Sequence, residues 1–295
     1  MKRRSLLERR TIFDYVNYLL LLLITFLCIV PVLHTLMASF SAPAELAQHE
    51  GLIWRPLGFT LEGYKLVLKN KAIAYGYMNT LFYVVAATSL NILMTSLGAY
   101  VCSRRHALLS RPITFLITFT MFFGGGLIPF YLTVNSLGLT DTRWSQILPV
   151  AISAWNLIIM RTSMSEIPQS LEESAQIDGA NEFIILFRIV MPLIKPVLAV
   201  MVLFYAVGHW NSWFNAMVFL RNRDLYPLQL ILREILLQND TTQIMQLADM
   251  NNEGDVFKIL VKYCTTVVAT APILCIYPFL QKYFVKGVMI GSIKG

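Results

Sequence analysis

Charged side chains are scarce in this sequence. Of its 295 residues only 14% are Asp, Glu, Lys or Arg, whereas 56% are hydrophobic and the mean hydropathy is +0.60. A soluble globular domain carries more charge than this, so the composition favours a membrane protein. The net charge of +7 does not indicate nucleic-acid binding, because the Lys and Arg residues stand at the ends of apolar runs and form no patch interleaved with aromatic residues.

Motifs that carry chemistry are also missing. The sequence contains no GxxxxGK[ST] loop, no HExxH pair of zinc ligands and no GxSxG nucleophile turn. The four cysteines form no CxxC pair and fall in or beside apolar runs, as small buried hydrophobic residues do. We therefore expect no catalytic residue, no metal site and no cofactor in this chain, and any energy that it uses has to come from a partner.

Apolar runs long enough to cross a membrane dominate the sequence. A bilayer core needs about 20 apolar residues per helix. Six stretches meet or approach this length, at about residues 15–38, 72–102, 112–134, 144–160, 196–220 and 263–283. The first is longer than the ~7 to 15 residue core of a secretory signal, which favours a retained anchor. Without internal repeats, the simplest organisation is one all-α polytopic domain over residues 1–295, with six transmembrane helices.

The interiors of these stretches hold no charged residue. The single charged residue inside their bounds is Lys282, which stands at the end of the sixth stretch. A proton- or ion-driven carrier usually keeps an ionisable group in the bilayer as its coupling site. We expect His34 and His209 to hydrogen-bond to neighbouring helices, with a proton relay as the alternative. The uncharged interiors argue against a secondary carrier or channel, which is one rival interpretation of the chain. A membrane scaffold without a transport path is another.

The distribution of basic residues predicts the orientation in the membrane. The N-terminal tail carries five Lys or Arg residues, and the next loop on the same side carries Arg104, Arg105 and Arg111. The short loop at residues 135–143, on the other side, carries only Arg143. Because cytoplasmic loops are richer in Lys and Arg, we expect both termini and residues 161–195 on the cytoplasmic side of a bacterial plasma membrane.

Residues 221–262 form a long segment that is expected outside. Its portion PLQLILREILLQ predicts an amphipathic helix on the outer surface. The polar run that follows resembles a calcium-binding loop around Asp249, but Leu260 stands where such a loop needs a bidentate Glu. We interpret it as a solvated loop.

The stretch EIPQSLEESAQIDGANEFIILFRIVMPLIKP, residues 166–196, is the longest polar interruption on the cytoplasmic side. Ser170 and Glu173 have the spacing of a capping box, which predicts a helix start there. That helix should run to about Ile177, because Asp178-Gly179 is a turn pair and glycine closes a helix in the left-handed conformation.

A second helix is expected to follow the turn. It should begin near Asn181 and carry Phe183, Phe187 and Val190 at helical spacing. Pro192 should end it, because a proline ring does not fit inside a helix.

This stretch resembles the EAA loop of permease subunits in ATP-binding-cassette (ABC) importers. That pattern reads Glu-Ala-Ala, three residues, Gly, nine residues, Ile, one residue, Leu-Pro. The matching positions here are Glu173, Ser174, Ala175, Gly179, Ile189, Met191 and Pro192. Ser174 replaces an Ala and Met191 replaces a Leu, and both replacements are of similar size.

The resemblance implies a type I importer permease fold, in which the first helix of the loop fits a groove on a cytoplasmic ATPase. The residues it assigns to this coupling are Glu173, Ser174, Ala175, Asp178, Gly179, Ala180, Phe187 and Pro192. Glu173 would pair with a basic residue of the ATPase and Gly179 would permit the bend. A role of Glu173 as a helix cap stays open beside this one.

The C-terminal FVKGVMIGSIKG is similar to the tail of the carbohydrate-uptake branch, in particular to the smaller maltose permease component. It implies ATPase contacts by Gly291, Ser292 and Lys294. The GGGLIPFYL run is most similar to subunits that serve complex oligosaccharides, such as those from pectin or alginate. The implied partners are a second, similar permease, two copies of an ATPase that binds ATP and Mg, and an extracytoplasmic sugar-binding protein.

Aromatic and amide side chains in the spans are candidates for a substrate path, because sugar rings offer both apolar faces and hydroxyls. VGHWNSWFNAMVF predicts such residues on adjoining strips of one helix. The candidates are Trp210, Asn211, Trp213 and Asn215, followed by Trp155, Asn156, Asn79 and Tyr83. The alternative is a membrane-interface role for Trp and helix-to-helix hydrogen bonds for Asn. For Gly124 to Gly126 we expect close helix packing rather than a bend.

Overall fold

A computed structural model describes residues 11–104, 107–237 and 257–275. Within these ranges every regular element is a helix and no strand occurs, which confirms the all-α class. The helices are α1 (Ile12–Ser39), α2 (Pro43–Gln48), α3 (Glu62–Lys69), α4 (Lys71–Ser103), α5 (Ser110–Phe122), α6 (Leu127–Ser136), α7 (Ala154–Ser165), α8 (Gln169–Ile177), α9 (Glu182–Leu193), α10 (Lys195–Trp210), α11 (Phe214–Phe219), α12 (Leu228–Leu237) and α13 (Phe257–Cys275). The predicted tail contacts at Gly291, Ser292 and Lys294, the calcium-like run and the end of the sixth stretch lie outside the described residues.

The described residues contain three helices that are long and apolar enough to cross a membrane, namely α1, α4 and α13. Two bent pairs raise the number to five if each pair is one span. The short helical turns at Arg143–Val150 meet α7 at 46°, and α9 meets α10 at 89°. The expected count of six is therefore not reproduced in the described part of the chain.

A glycine run interrupts the third predicted stretch. The chain leaves helical geometry after Phe122 and resumes it at Leu127, with Gly126 at φ +80°. A Cβ built on Gly124 or Gly126 would meet no described atom within 4 Å. Among the described residues nothing packs closely against these two glycines, and the left-handed Gly126 stands where the helix is broken.

Chain contacts divide the protein into two compact units, and the described part of the first comprises residues 11–70 and 257–269. Here α1 and α3 are joined to α13. The Ser39 hydroxyl lies 2.7 Å from the Tyr64 hydroxyl, and the Cys264 thiol donates to the Ser39 carbonyl at 3.3 Å. Gly63 permits this approach, because a Cβ there would lie 2.6 Å from Sγ of Cys264.

The second unit is assembled around α4, whose buried face is polar. Asn91 donates to the Val150 carbonyl at 2.5 Å, and its amide oxygen lies 2.7 Å from Nε2 of His209 on α10. Nearer the end of α4, the Thr95 hydroxyl lies 2.7 Å from the Tyr205 hydroxyl. Because a polar group inside a membrane has few other partners, such bonds fix which helices neighbour α4.

The two histidines make the hydrogen bonds that were expected of them. His209 bonds to Asn91 as described, and His34 lies 3.3 Å from the Tyr263 hydroxyl through Nε2. Nδ1 of His34 also accepts from the Ile53 amide at 3.1 Å.

The predicted amphipathic helix is α12, and it packs its apolar side against the start of α4. Leu228, Ile231 and Ile235 are buried, and the Leu228 amide donates to the Thr80 hydroxyl at 2.8 Å. Gly76 of α4 makes room for this contact, because a Cβ there would lie 2.6 Å from Cδ1 of Ile231 and 3.2 Å from Cα of Leu228.

The Gly76→Ala substitution should therefore destabilise the protein, by about 1–3 kcal/mol as for other overpacked sites. Thermal unfolding of the detergent-solubilised protein measures this loss. Gly208→Ala is the matched control, since Gly208 lies in α10 with open space at its Cβ position. Equal melting temperatures for the two variants would contradict the close contact between α12 and α4.

Candidate functional site

The segment between α7 and α10 contains the predicted coupling residues, and its first helix starts earlier than expected. α8 begins at Gln169 with Pro168 as its N-cap, and no side chain caps this end. Ser170 is already the second residue of the helix, and its carbonyl accepts a bond from the Ser174 hydroxyl at 2.8 Å. The predicted capping box of Ser170 and Glu173 was therefore wrong. Pro168 cannot stand inside a helix that continues from α7, and this is enough to set the start of α8 without a side-chain cap.

The end of α8 matches the sequence prediction. The helix stops at Ile177, and Gly179 adopts φ +84°. The Gly179 amide donates to the Gln176 carbonyl at 3.0 Å, and the Ala180 amide donates to the Ala175 carbonyl at 2.9 Å. This pair of bonds is the Schellman closure that a glycine permits, and it ties the turn to the helix.

α9 starts as predicted but does not end at Pro192. The side chain of Asn181 caps it by accepting from the Ile184 amide at 2.9 Å. Residues Ile185–Val190 form a π-helical turn, after which the helix continues through Pro192 to Leu193. Pro192 stands in the first positions of this last α-helical turn, where the missing amide proton disturbs the hydrogen-bond ladder least. The 89° bend follows between Leu193 and Lys195.

α8 has a buried face and an exposed face. Glu172 and Ala175 are buried, and Ala175 packs in a cluster with Met164 of α7 and Leu186 of α9. Among the other predicted coupling residues, Glu173, Ser174, Asp178, Gly179, Phe187 and Pro192 are exposed and Ala180 is half-buried. The helix therefore presents most of the predicted residues to the surroundings while Ala175 anchors it.

Apolar side chains on the outer face of α8 were missed by the sequence analysis. Leu171 is 46% exposed and Ile177 is 87% exposed. Exposed apolar residues beside Glu173 give this face the character of a contact surface. The signal was present in the helical spacing, but without the burial of Ala175 the outer side of the helix could not be told from the inner side.

Glu172 is the second residue that the sequence analysis missed. Its carboxylate forms an ion pair with the guanidinium of Arg104, which follows the end of α4. The Glu172 side chain is 8% exposed and that of Arg104 is 21% exposed. Arg104 also lies over the ring of Tyr100, with 4.2 Å from its Cζ to the ring centroid.

Further polar contacts surround this ion pair. The Tyr100 hydroxyl donates to the carboxylate of Glu182 at the start of α9, and the same carboxylate accepts from Gln176 of α8 at 3.2 Å. Arg161 of α7 donates through Nε to the Cys102 carbonyl at 2.9 Å. The end of α4 is thus tied to three neighbouring helices.

A cavity of about 640 Å³ lies between the end of α4 and these helices. Three of its lining side chains are carboxylates, those of Glu172, Glu173 and Glu182, and among the described lining residues Arg104 is the only basic one. In the described ranges no three His, Cys, Asp or Glu residues are arranged to hold a metal ion. Glu172 is buried and paired with Arg104, so Glu173 is the exposed carboxylate of α8 that suits contact with a basic group.

The residues predicted for a substrate path do not share one helix. α10 ends at Trp210, and Asn211 to Trp213 form a break before α11. Trp210 is buried, whereas Asn211 is exposed and donates to the Val207 carbonyl at 3.0 Å. The expected helix was therefore wrong, because three residues turn the chain between α10 and α11.

The other aromatic and amide candidates are separated as well. Trp213 lies under Arg233, with 4.3 Å from Cζ of Arg233 to the ring centroid, and Asn215 is half-buried. Trp155 is 62% exposed, whereas Asn156 is buried.

Asn79 and Tyr83 hold a loop in place. Asn79 donates to the carbonyls of Asp224 at 2.6 Å and Tyr226 at 3.2 Å, and Tyr83 donates to the Leu225 carbonyl at 2.8 Å. Their side chains therefore serve the structural hydrogen bonds that stood as the alternative to a path.

A second loop contact lies nearby at Asp141, which has φ +57°. Its carboxylate accepts from the amides of Asn222 at 2.8 Å and Arg221 at 2.9 Å. These backbone donors lower the pKa of Asp141, because they favour the charged carboxylate.

Residues 95–290 match the protein family described as "Binding-protein-dependent transport system inner membrane component". The chain is 39% identical over 287 residues to the polygalacturonan/rhamnogalacturonan transport system permease protein YtcP of Bacillus subtilis (strain 168), covering 97% of this chain and 100% of that protein. It is 41% identical over 288 residues to protein LplC of the same organism, covering 96% of this chain and 95% of LplC.

A solved structure shows the same fold. It belongs to a bacterial ABC transporter involved in the import of the acidic polysaccharide alginate, and the two chains superpose with a TM-score of 0.85 at 33% identity. The match covers 92% of this chain and 96% of that one. The expected permease fold of ABC importers is thereby confirmed.

Replacement of Gly179 should loosen the turn after α8 through the backbone alone, since no described atom lies within 4 Å of its Cβ position. A residue with a side chain in the left-handed conformation costs about 1–2 kcal/mol. We expect Gly179→Val to speed hydrogen exchange at the amides of residues 179 and 180 by about tenfold. Gly179→Asn should cause a smaller change, because Asn tolerates this conformation. Equal exchange rates in the two variants would contradict the backbone explanation.

Proposed function

Since this chain belongs to the family of binding-protein-dependent transport system inner membrane components, we propose that it is a permease subunit of an ATP-driven importer for oligosaccharides. It carries no ATPase motif, so ATP and Mg bind to separate ATPase subunits. Two copies of that ATPase, a second, similar permease and an extracytoplasmic binding protein complete the complex.

The observation that carries this proposal is the exposed face of α8. The helix is anchored by Ala175 and closed by the Gly179 turn, so it is a short rigid body. Its exposed side chains include the carboxylate of Glu173 and the apolar Leu171 and Ile177. A groove of the ATPase that combines an apolar floor with a basic residue would fit this surface.

The exposed carboxylate of Glu173 supports a basic contact on the ATPase. Glu172 is buried and paired with Arg104, and Glu182 accepts from Tyr100 and Gln176, so neither of these is part of the contact. No capping bond at the start of α8 engages the Glu173 side chain, which leaves it available to a partner. ATP binding and hydrolysis would then shift α8, and the neighbouring helices would convert that shift into alternating access.

The proposal places residues 161–195 and both termini in the cytoplasm, following the distribution of basic residues. The whole of residues 1–295 then forms one permease domain with six spans. The tail residues Gly291, Ser292 and Lys294 make a second contact with the ATPase.

We assign complex, acidic oligosaccharides to this importer as substrates. The support is that YtcP is named for polygalacturonan and rhamnogalacturonan transport and that the structurally similar transporter is involved in the import of an acidic polysaccharide. Trp155 and Asn211, both exposed, are our first candidates for contact with the sugar. Trp210, Trp213, Asn215 and Asn156 would line the path only through the second permease or a changed conformation, since they are buried or half-buried here.

Glu173→Lys should abolish the stimulation of ATP hydrolysis by binding protein and oligosaccharide, because it places like charges at the docking contact. Membrane insertion should be unchanged. The measurements are copurification of the co-expressed ATPase and ATP hydrolysis by the reconstituted complex, with and without binding protein and oligosaccharide.

Glu166→Lys is the matched control for Glu173→Lys. Glu166 is exposed in the same loop, and its replacement by Lys changes the charge by the same amount. It lies before Pro168 and therefore outside the docking helix α8. Uptake at the wild-type rate in the Glu173→Lys variant would refute the docking role. If binding protein and oligosaccharide do not stimulate ATP hydrolysis by the wild-type complex, the proposed importer function is refuted.

Deletion of residues 291–295 should reduce transport if the tail contacts the ATPase. Uptake of labelled oligosaccharide by proteoliposomes measures the effect against the full-length chain. Transport at the full-length rate would show that the tail is a passive end.

A further inference from the structure

The ion pair between Arg104 and Glu172 joins the docking helix directly to the end of α4. Both side chains are largely withdrawn from solvent, at 21% and 8% exposure. The guanidinium lies against the Tyr100 ring, which restricts where it can point. A charge pair in such surroundings is weakly screened, so removal of one partner leaves the other with an uncompensated charge.

A second contact acts in parallel with this ion pair. Glu182 accepts from the Tyr100 hydroxyl of α4 and from Gln176 of α8. α4 therefore meets the docking helix both directly, through Arg104, and through the carboxylate that starts α9. The two contacts involve neighbouring turns at the end of α4, which resists rotation of α8 against it.

The covalent route from α8 to the next long helix is much less direct. It passes through the left-handed Gly179, the π-helical turn at Ile185–Val190 and the 89° bend before α10. Each of these departs from a straight helix, and a displacement of α8 can be absorbed there as a change of dihedral angles. The contacts to α4 contain no such joint.

We propose that Arg104 and Glu172 are positioning residues that make α8 and α4 move together, so that a displacement of the docking helix reaches α4 through this ion pair. The inference rests on the proposed function, because it assigns a route to the movement that the ATPase would impose. It differs from the docking contact itself, since Glu172 is buried while Glu173 is exposed.

α4 is well placed to receive such a movement. Its buried Asn91 is bonded to Val150, just before α7, and its buried Thr95 is bonded to Tyr205 of α10. In its first half, Asn79 is bonded to the loop at Asp224. A shift of its end at Arg104 is therefore passed along one continuous helix of 33 residues.

Charge reversal tests the pair in the assembled complex. The variants are Arg104→Glu, Glu172→Arg and the double swap that restores an ion pair in the opposite sense. Arg188→Glu serves as the control, because Arg188 is exposed on α9 in the same loop and undergoes the same change of charge. Each complex is reconstituted with its ATPase, and ATP hydrolysis is measured with and without binding protein and oligosaccharide.

Each single reversal should leave the ATPase bound and the basal hydrolysis rate unchanged. The stimulated rate should fall by about tenfold, a typical size for a coupling between two sites. The double swap should recover most of the stimulation, and Arg188→Glu should keep it. A merely structural role would lower the melting temperature together with the stimulation, so the single variants count as uncoupled only where their melting temperature, ATPase binding and basal rate match those of the wild-type complex.

Hydrogen exchange at the α8 amides supplies a readout that does not depend on transport. Exchange should accelerate in each single variant and return towards the wild-type rate in the double swap. Wild-type stimulation in the single variants, or a double swap that stays uncoupled, would overturn the inference. Failure of the proposed function is seen separately, since it would remove stimulation from the wild-type complex and leave the exchange pattern intact.

Discussion

A polar group inside a membrane has to find its hydrogen-bond partner within the protein, and the buried face of α4 is the part of this chain where that constraint is strongest. Asn91 and Thr95 are fully buried there. Asn91 bonds to the Val150 carbonyl, and Thr95 bonds to the Tyr205 hydroxyl of α10. Lipid tails solvate apolar side chains as well as a neighbouring helix does, so these polar bonds, together with close packing, decide which elements surround α4.

The same helix connects the two ends of its unit. Its 33 residues give a length of about 50 Å. Near its start, Asn79 and Tyr83 hold the loop that precedes α12, and at its far end Tyr100 and Arg104 hold α9 and α8. A loop expected outside the cell and a docking helix expected in the cytoplasm are thus attached to one rigid element.

The local features of the candidate site were readable in the sequence, and the long-range ones were not. Gly179 and Asn181 act through their own backbone neighbourhood, so turn and cap chemistry predicted them correctly. Glu172 and Glu173 are adjacent and chemically identical, and only the packing of Ala175 decides which of them faces inward. The predicted helix end at Pro192 was wrong for a related reason. The π-helical turn that precedes Pro192 has no recognisable sequence pattern.

The polar face of α4 also bears on how the chain is made. α1 is apolar over most of its length and can enter the bilayer as soon as it is synthesised. The polar side chains of α4 need partners on elements that follow it in the chain. For Asn91 the later of its two partners is His209 of α10. At about 5–20 residues per second, synthesis from the end of α4 to the end of α10 takes on the order of 5–20 s. Asn91 meets its first partner when Val150 is made, whereas Thr95 has to wait for Tyr205, so α4 is the segment that a membrane insertase would have to hold back from lipid.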